Sequence, residues 1–315
     1  MENFIFSINV TIPIFLVMVL GWFLKQIGML AGDFVTVANK FNFKVTLPFM
    51  LFCDISAVDI RAVFDLEYVL FCAVASSICF WAIWGGARLF LKDHSLTGEF
   101  VQASFRSSAA VMGLAFIQNL YGQSAMGPLM IVGAVPLYNI YSVLVLAFES
   151  PQEGMDKQGK IREAGINILK NPIIIAIFLG LAVSLCRLHF PVIVDKTVQS
   201  VAQMATPLAL VTLGAGFEGR KALAKIKPTL AAAFLKLAVQ PAFFLPAAVA
   251  MGFGREKLIA ILIMLAAPTT PSCYIMAKNM GHDGTLTASA VVATTLLSAF
   301  TLTGWIFLLK GMGYI

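Results

Sequence analysis

The chain of 315 residues is 59% hydrophobic and only 12% charged, with a mean hydropathy of +0.88. A soluble globular protein has about a quarter charged residues, so this composition excludes a soluble domain, and also a disordered or coiled-coil chain. The formal net charge of +6 does not indicate nucleic-acid binding, because no basic cluster is interleaved with aromatic residues. We therefore expect an integral membrane protein without a nucleic-acid partner.

Ten apolar segments follow one another along the chain, each near the ~20 residues that a transmembrane helix needs. Numbered as spans 1 to 10, they lie at residues 5–24, 34–56, 66–90, 99–120, 124–148, 171–190, 195–216, 228–251, 256–280 and 285–309. The first segment lacks the basic start and the cleavage pattern of a signal peptide, so we interpret it as a retained helix. The sequence predicts an all-α membrane protein with ten transmembrane helices and no further soluble domain.

One long polar stretch divides the chain nearly in half. Residues 149–170 contain Pro151, Gly154 and Gly159, and this composition predicts a linker between residues 1–148 and residues 171–315. Twelve Lys and Arg residues fall on the membrane side that holds this linker, six fall on the other side, and four lie within spans. The positive-inside rule then predicts that the linker is cytoplasmic and that both termini lie on the outer side of the cytoplasmic (inner) membrane.

An internal repeat emerges when the sequence is compared with itself at a shift of 159 residues. Four landmarks coincide with identical residues at this shift: Pro13 with Pro172, Gly21 with Gly180, Pro48 with Pro207, and Gly122 with Gly281. Because each half holds an odd number of spans, the second half enters the membrane from the opposite side. We therefore predict two inverted five-helix repeats, an organisation found in many secondary transporters.

Spans 4 and 9 carry helix-breaking and hydroxyl residues near their centres. These residues are Ser107, Ser108 and Gly113 in span 4, and Pro268, Thr269, Thr270, Pro271 and Ser272 in span 9. Proline removes a backbone donor and frees a carbonyl, and hydroxyl groups can line the gap. A proline kink in one membrane helix would be an ordinary structural feature. The occurrence of breaks in both halves favours a substrate site at two interrupted helices, broken at Gly113, Pro268 and Pro271.

Pro48 in span 2 and Pro207 in span 7 are a different case, because each is a single proline among apolar residues. We interpret both as structural kinks or hinges rather than as parts of a binding site.

Arg106 is the charge that the sequence places deepest in span 4, about 10 Å from its cytoplasmic end. A charge at mid-membrane costs roughly 2.5–3.5 kcal/mol on insertion scales and usually faces a cavity. The planar guanidinium fits a carboxylate, and the amides of a helix that restarts after a break also attract an anion. Two other interpretations stay open: Arg106 reaches the cytoplasmic surface, or it pairs with Asp54 or Glu99. Lys236, which also lies within a span, receives no assignment.

Three groups of motif residues carry a family resemblance. They are Leu47, Pro48 and Leu51 in span 2; Phe105, Arg106, Ser107 and Gly113 in span 4; and Ala277, Lys278, Gly281 and Asp283 followed by Thr294, Thr295, Leu296, Leu297 and Ser298. With these motifs the chain resembles the auxin efflux carrier family, part of the bile acid and auxin carrier superfamily, over nearly its whole length. Ser108 and Ala115 depart from the family pattern, which has Asn and Pro at these positions.

The resemblance implies that spans 4 and 9 cross as an X. It also implies a scaffold of spans 1, 2, 6 and 7 and a mobile transport domain of spans 3–5 and 8–10, which moves like an elevator. Bacterial members of the family include malonate and malate permeases, so the expected substrate is a small organic anion, with no cofactor and no metal. Family members are often dimers, which leaves a homodimer open.

Three alternatives within the carriers remain: a carrier of a different fold, an auxin-like carrier of indole carboxylates, and a sodium-coupled symporter of the bile acid type. Sodium is disfavoured because Arg106 is positive and no acidic residue is expected near either break. An enzyme is not expected, since His94, His189 and His282 lie near span ends without the spacing of a catalytic or metal site.

Overall fold

The computed structural model of the protein describes residues 2–57, 65–109, 117, 126–150, 165–166, 168–188 and 190–315. All regular elements in this part of the chain are helical, which confirms the predicted all-α class. Five of the described helices are long and apolar enough to cross a membrane: Leu66–Phe90, Met126–Phe148, Val192–Gly216, Ile226–Ala250 and Thr285–Gly311. Two shorter apolar helices are Thr11–Gln26 and Pro172–Cys186.

The helices follow the predicted spans in chain order. Those of the first half are α1 (Glu2–Gln26), α2 (Gly32–Phe41), α3 (Leu47–Ser56), α4 (Leu66–Phe90), α5 (Thr97–Phe105) and α6 (Met126–Phe148). Those of the second half are α7 (Pro172–Cys186), α8 (Val192–Gln203), α9 (Ala205–Gly216), α10 (Gly219–Ala224), α11 (Ile226–Phe234), α12 (Gln240–Ala250), α13 (Arg255–Ala266), α14 (Ser272–Asn279) and α15 (Thr285–Gly311). The short helix α10 was not predicted, because it is far below the ~20-residue length that identifies a span.

Two wide helical turns join consecutive helices, and a proline follows each of them. The π-helical turn Asn42–Thr46 links α2 to α3, and the π-helical turn Leu235–Val239 links α11 to α12. Pro48 and Pro241 lie in the first turn of the helix that follows. A proline has no N–H and its ring crowds the carbonyl four residues earlier, so the preceding turn widens. Wide turns of this type often occur at functional sites.

The bends of spans 2 and 7 contact each other directly. Asn42, in the first π-turn, donates its side-chain N–H to the carbonyl of Ala205 at 2.9 Å. Ala205 begins α9, which only Met204 separates from α8, and Pro207 lies in the first turn of α9. Both prolines thus lie beside a change in helix geometry, and their function as hinges stays a prediction.

Glycine allows two close helix contacts between the halves of the chain. A Cβ on Gly21 of α1 would overlap the carbonyl of Val211 in α9. In the second contact, a Cβ on Gly180 of α7 would lie 3.2 Å from the carbonyl oxygen of Phe52 in α3. Gly21 and Gly180 are 159 residues apart, and so are Phe52 and Val211. The contact of α1 with α9 therefore corresponds, residue for residue, to the contact of α7 with α3.

We expect Gly21→Ala to destabilise the protein, because the added methyl group forces α1 away from the backbone of α9. Such overpacking costs about 1–3 kcal/mol, which corresponds to a melting temperature lower by about 5 °C. The control is Gly304→Ala in α15, where a Cβ meets nothing within 4 Å. Thermal unfolding of both purified variants in detergent checks the expectation, and equal melting temperatures would contradict it.

Candidate functional site

The helices of spans 4 and 9 both stop inside the protein, and their ends meet. After α5 the backbone of Arg106 is extended (φ −79°, ψ 136°), and after α13 the backbone of Ala267 is extended in the same way (φ −66°, ψ 151°). The N–H of Ser108 donates to the carbonyl of Pro268 at 2.9 Å. One backbone hydrogen bond therefore joins the two interrupted segments.

Hydroxyl groups bond carbonyls at the ends of the two helices, and one of these carbonyls, that of Ile263, also accepts the N–H of Ala267 at 2.9 Å. Ser107 Oγ lies 3.3 Å from the carbonyl oxygens of both Ile263 and Ala267, to which it donates. Thr269 Oγ1 donates to the carbonyl of Ala103 at 2.7 Å. Each interrupted span thus caps the other at the carbonyls of Ala103 and Ala267, which have no donor within their own helix.

Arg106 is almost completely buried, with 3% of its surface exposed. Its Nη2 donates to the side-chain oxygen of Asn139 at 2.6 Å, and its Nη1 donates to the sulfur of Met276 at 2.6 Å. Both partners are neutral. Arg106 therefore neither reaches a surface nor forms an ion pair with Asp54 or Glu99, the two alternatives that the sequence left open.

A small cavity of about 30 Å³ adjoins the guanidinium. It is lined by Met50, Leu51, Asp54, Arg106, Ser107, Ser108, Val135, Tyr138, Asn139, Thr270 and Ser272. This volume holds about one water molecule, so the conformation is closed around Arg106. The expectation that no acid lies near the breaks is wrong, because α3 brings Asp54 to the cavity from a distant part of the sequence.

A larger cavity of about 660 Å³ begins where the small one ends, since Met50 and Asp54 line both. Its other lining residues include Asp195 and Gln199 of α8 and Phe190, which precedes that helix. These elements lie on the side that the sequence predicts to be extracellular. The large cavity therefore adjoins, at Met50 and Asp54, the small cavity beside Arg106.

The predicted site residues are only partly brought together. Arg106, Ser107, Ser108, Thr270 and Ser272 share the small cavity, and the oxygens of Thr270 and Ser272 are 3.2 Å apart. Thr269 is absent from the lining and holds the backbone instead.

The sequence predicts free N–H groups where spans 4 and 9 restart after their breaks, and the structure describes this restart only for span 9. Gly113 and the continuation of span 4 lie outside the described residues. At the start of α14, the N–H groups of Cys273 and Tyr274 donate to the carbonyls of Thr270 and Pro271, each at 3.0 Å. Part of the expected free amide is therefore already used within the turn, and a pair of anion-attracting helix ends stays a prediction.

Sequence reasoning missed the partners of Arg106. Asn139 is a buried amide inside an apolar span, a signal of the same kind that singled out Arg106, and could have been found that way. Met276 gives no such signal, because a methionine in an apolar helix normally packs against its neighbours.

Glu99 binds the start of α15. Its carboxylate accepts the N–H of Gly284 at 2.8 Å, the N–H of Thr287 at 3.0 Å and the hydroxyl of Thr287 at 2.9 Å. The carboxylate is 1% exposed and lies at the positive end of a helix dipole. Glu99 therefore fixes α5, which ends directly before Arg106, to the last span.

Residues 6–306 match a family described as "Membrane transport protein". The chain belongs to this family. The resemblance to the auxin efflux carriers, based on motif residues, is thereby confirmed. Together with its apolar helices, the match identifies a multi-pass membrane transport protein.

Similar proteins span the same length as this membrane transport protein. An "Uncharacterized transporter YfdV" of Escherichia coli (strain K12) is 25% identical over 309 residues, which are 96% of this chain and 97% of the relative. The protein of the same description in Shigella flexneri matches equally well. A "Putative malonate transporter" of Rhizobium meliloti (strain 1021) is 21% identical over 309 residues, 96% of this chain and 95% of that one.

We expect Glu99→Gln to lower the melting temperature of this transport protein, because an amide group would face N–H donors in place of a carboxylate. Hydrogen bonds to a charged group contribute about 1.5–3 kcal/mol. The control is Glu67→Gln in the first turn of α4, where the side chain is exposed. Thermal unfolding in detergent checks the difference; an unchanged melting temperature for Glu99→Gln would contradict the role of its carboxylate.

Proposed function

We propose that this protein carries small organic anions, carboxylates such as malonate or malate, across the cytoplasmic membrane by elevator-type alternating access. The observation that carries the proposal is Arg106, a buried guanidinium at the contact of two interrupted helices, with neutral partners in the part of the chain that the structure describes.

A buried charge without a counter-ion is costly, and an anion in the adjoining cavity would reduce that cost. A guanidinium has five N–H donors in a planar fork. The contacts with Asn139 and Met276 use two of them. The remaining donors suit the two oxygens of a carboxylate, and Arg106 binds this geometry better than a lysine would.

The hydroxyl groups around Arg106 add neutral hydrogen-bond partners for the same carboxylate. Ser107, Ser108, Thr270 and Ser272 line the cavity, and we propose them as substrate contacts. Thr269, whose hydroxyl bonds Ala103, would hold the backbone in place. The start of α14 follows directly, and its dipole favours negative charge.

The position of the cavity supports the elevator mechanism. Met50, Leu51 and Asp54 belong to span 2 of the proposed scaffold, whereas the other lining residues belong to spans 4, 5 and 9 of the proposed transport domain. The cavity has to enlarge before a dicarboxylate can enter, because about 30 Å³ holds only one water. A movement between these two groups of spans would open it.

The glycine contacts support two inverted repeats as the frame for this movement. Gly21 and Gly180 make corresponding contacts at the same shift of 159 residues that relates the two halves of the sequence. We propose ten helices in repeats of residues 1–148 and 171–315, with a cytoplasmic linker between them and the termini outside. A "Putative malonate transporter" among the relatives supports a short dicarboxylate as the substrate.

We expect Arg106→Gln to lower malonate or malate uptake by about 100-fold, since a charge-assisted hydrogen bond contributes up to about 3 kcal/mol. Arg220→Gln in α10, where the arginine is exposed, is the control and should transport normally. Uptake of labelled substrate by proteoliposomes measures both variants, and a normal elution profile on size exclusion checks their folding. Wild-type rates from Arg106→Gln would limit Arg106 to a structural role.

The substrate class is tested by the wild-type protein in the same proteoliposomes. Labelled monocarboxylates, dicarboxylates and an indole carboxylate are compared, each with and without sodium and proton gradients. We expect short carboxylates to be transported. Uptake of neutral or cationic solutes instead would contradict the proposal, and sodium-dependent bile acid uptake would favour the symporter alternative.

A further inference from the structure

A lysine is completely buried in the middle of a membrane-spanning helix. Lys236 lies in the π-turn Leu235–Val239 and is 0% exposed. Its Nζ donates to the carbonyl of Phe105 at 3.2 Å and, more weakly, to the carbonyl of Met264 at 3.5 Å. The ring of Tyr138 lies 6.0 Å away. None of these partners carries a charge, and no described carboxylate forms an ion pair with Lys236.

Both carbonyls belong to the ends of the interrupted helices. Phe105 is the last residue of α5, and Met264 lies in the last turn of α13. A helix carries about −0.5 elementary charge at its C-terminus, so two such ends sum to about −1. One ammonium group matches this charge, which explains how a lysine is tolerated at this depth.

The residue that follows the π-turn supplies a second donor to the end of α5. Gln240, four residues after Lys236, donates its side-chain N–H to the carbonyl of Ser104. Residues four apart share one face of a helix, so this face of span 8 supplies both donors to the end of α5. Tyr138 donates its hydroxyl to the carbonyl of Met264 at 3.0 Å and completes the set.

Carbonyls at the ends of broken helices are the groups with which many transporters bind a coupling sodium ion. We propose that the ammonium of Lys236 takes the place of such a cation, so that the carrier holds its two interrupted helices together, and binds its anion, without sodium. The inference rests on the proposed function for the anion. Lys236 is a positioning residue, because it does not line the cavity beside Arg106.

Removing the ammonium creates a vacant cation site in the protein. In Lys236→Ala the carbonyl of Phe105 loses its donor, and the carbonyl of Met264 keeps only the hydroxyl of Tyr138. The deleted side chain leaves space beside both oxygens. A small monovalent cation, Na⁺ or NH₄⁺, can then bind these oxygens, whereas choline is too large. A purely structural lysine predicts the same loss of stability in every salt.

The test measures thermal unfolding of purified Lys236→Ala in sodium, ammonium and choline chloride at equal concentration. We expect the variant in choline to melt about 5 °C below the wild type, and sodium or ammonium to restore at least half of that loss. The control is Lys227→Ala at the exposed start of the same span, which should melt like the wild type in all three salts. A melting temperature of Lys236→Ala that is unchanged, or lowered equally in all salts, overturns the inference.

A second measurement covers the case in which Lys236→Ala does not fold. Wild-type uptake of the transported anion should be equal in sodium and in choline, and a sodium requirement overturns the inference. The unfolding test does not depend on the substrate. If the wild type carries no carboxylate but the variant is stabilised by sodium or ammonium, the proposed function fails and the cation site stands. If carboxylates are carried but only with sodium, the opposite holds.

Discussion

The structure depends on the need to satisfy helix ends that lie inside the membrane. The hydrocarbon of the lipid tails cannot hydrogen-bond a free N–H or carbonyl, so an interrupted helix needs partners from the protein itself. Spans 4 and 9 meet this need first through each other, by the backbone bond between Ser108 and Pro268 and by the hydroxyls of Ser107 and Thr269. Neither interruption could exist alone at this depth.

The remaining partners come from spans that are continuous. Lys236 and Gln240 of span 8 bond carbonyls at the end of α5, and Tyr138 of span 5 bonds the end of α13. At the opposite end of α5, Glu99 accepts from the backbone of Gly284 and Thr287. The short helix α5 is therefore held at both ends by side chains, which fixes the position of Arg106.

The sequence predicts these features unequally, and the reason is the range of the interactions. Proline and hydroxyl residues act on their immediate neighbours, so the sequence alone predicts the change of backbone at Pro268 and the polar surroundings of Ser107. The shift of 159 residues relates distant positions, but it repeats the same residue types. Gly21 and Gly180 reveal the shift because a close helix contact needs glycine. The contact of Arg106 with Met276 has neither property, and only the folded chain brings the two together.

For the same reason, the partners of charged side chains were harder to predict from the sequence than the interruptions of the backbone. Asp54 reaches the cavity beside Arg106 because α3 packs against the interrupted spans. This proximity cannot be predicted from the residues that neighbour Arg106 in the sequence. Lys236 has no neighbour of opposite charge in sequence, and in the fold its partners are main-chain carbonyls, which every residue possesses. A pattern of side chains cannot identify such a partner, so Lys236 received no assignment from the sequence.

Two cationic side chains, Lys236 and Arg106, lie at the same peptide unit and have different partners. The carbonyl of Phe105 accepts from Lys236, and the next residue in the chain is Arg106. Lys236 bonds the ends of both interrupted helices, and we propose that its charge stabilises their contact. Arg106 has neutral partners and a cavity beside it, and we propose that its charge binds the ligand. In the proposed mechanism, a site with both groups binds an anion without first binding a cation.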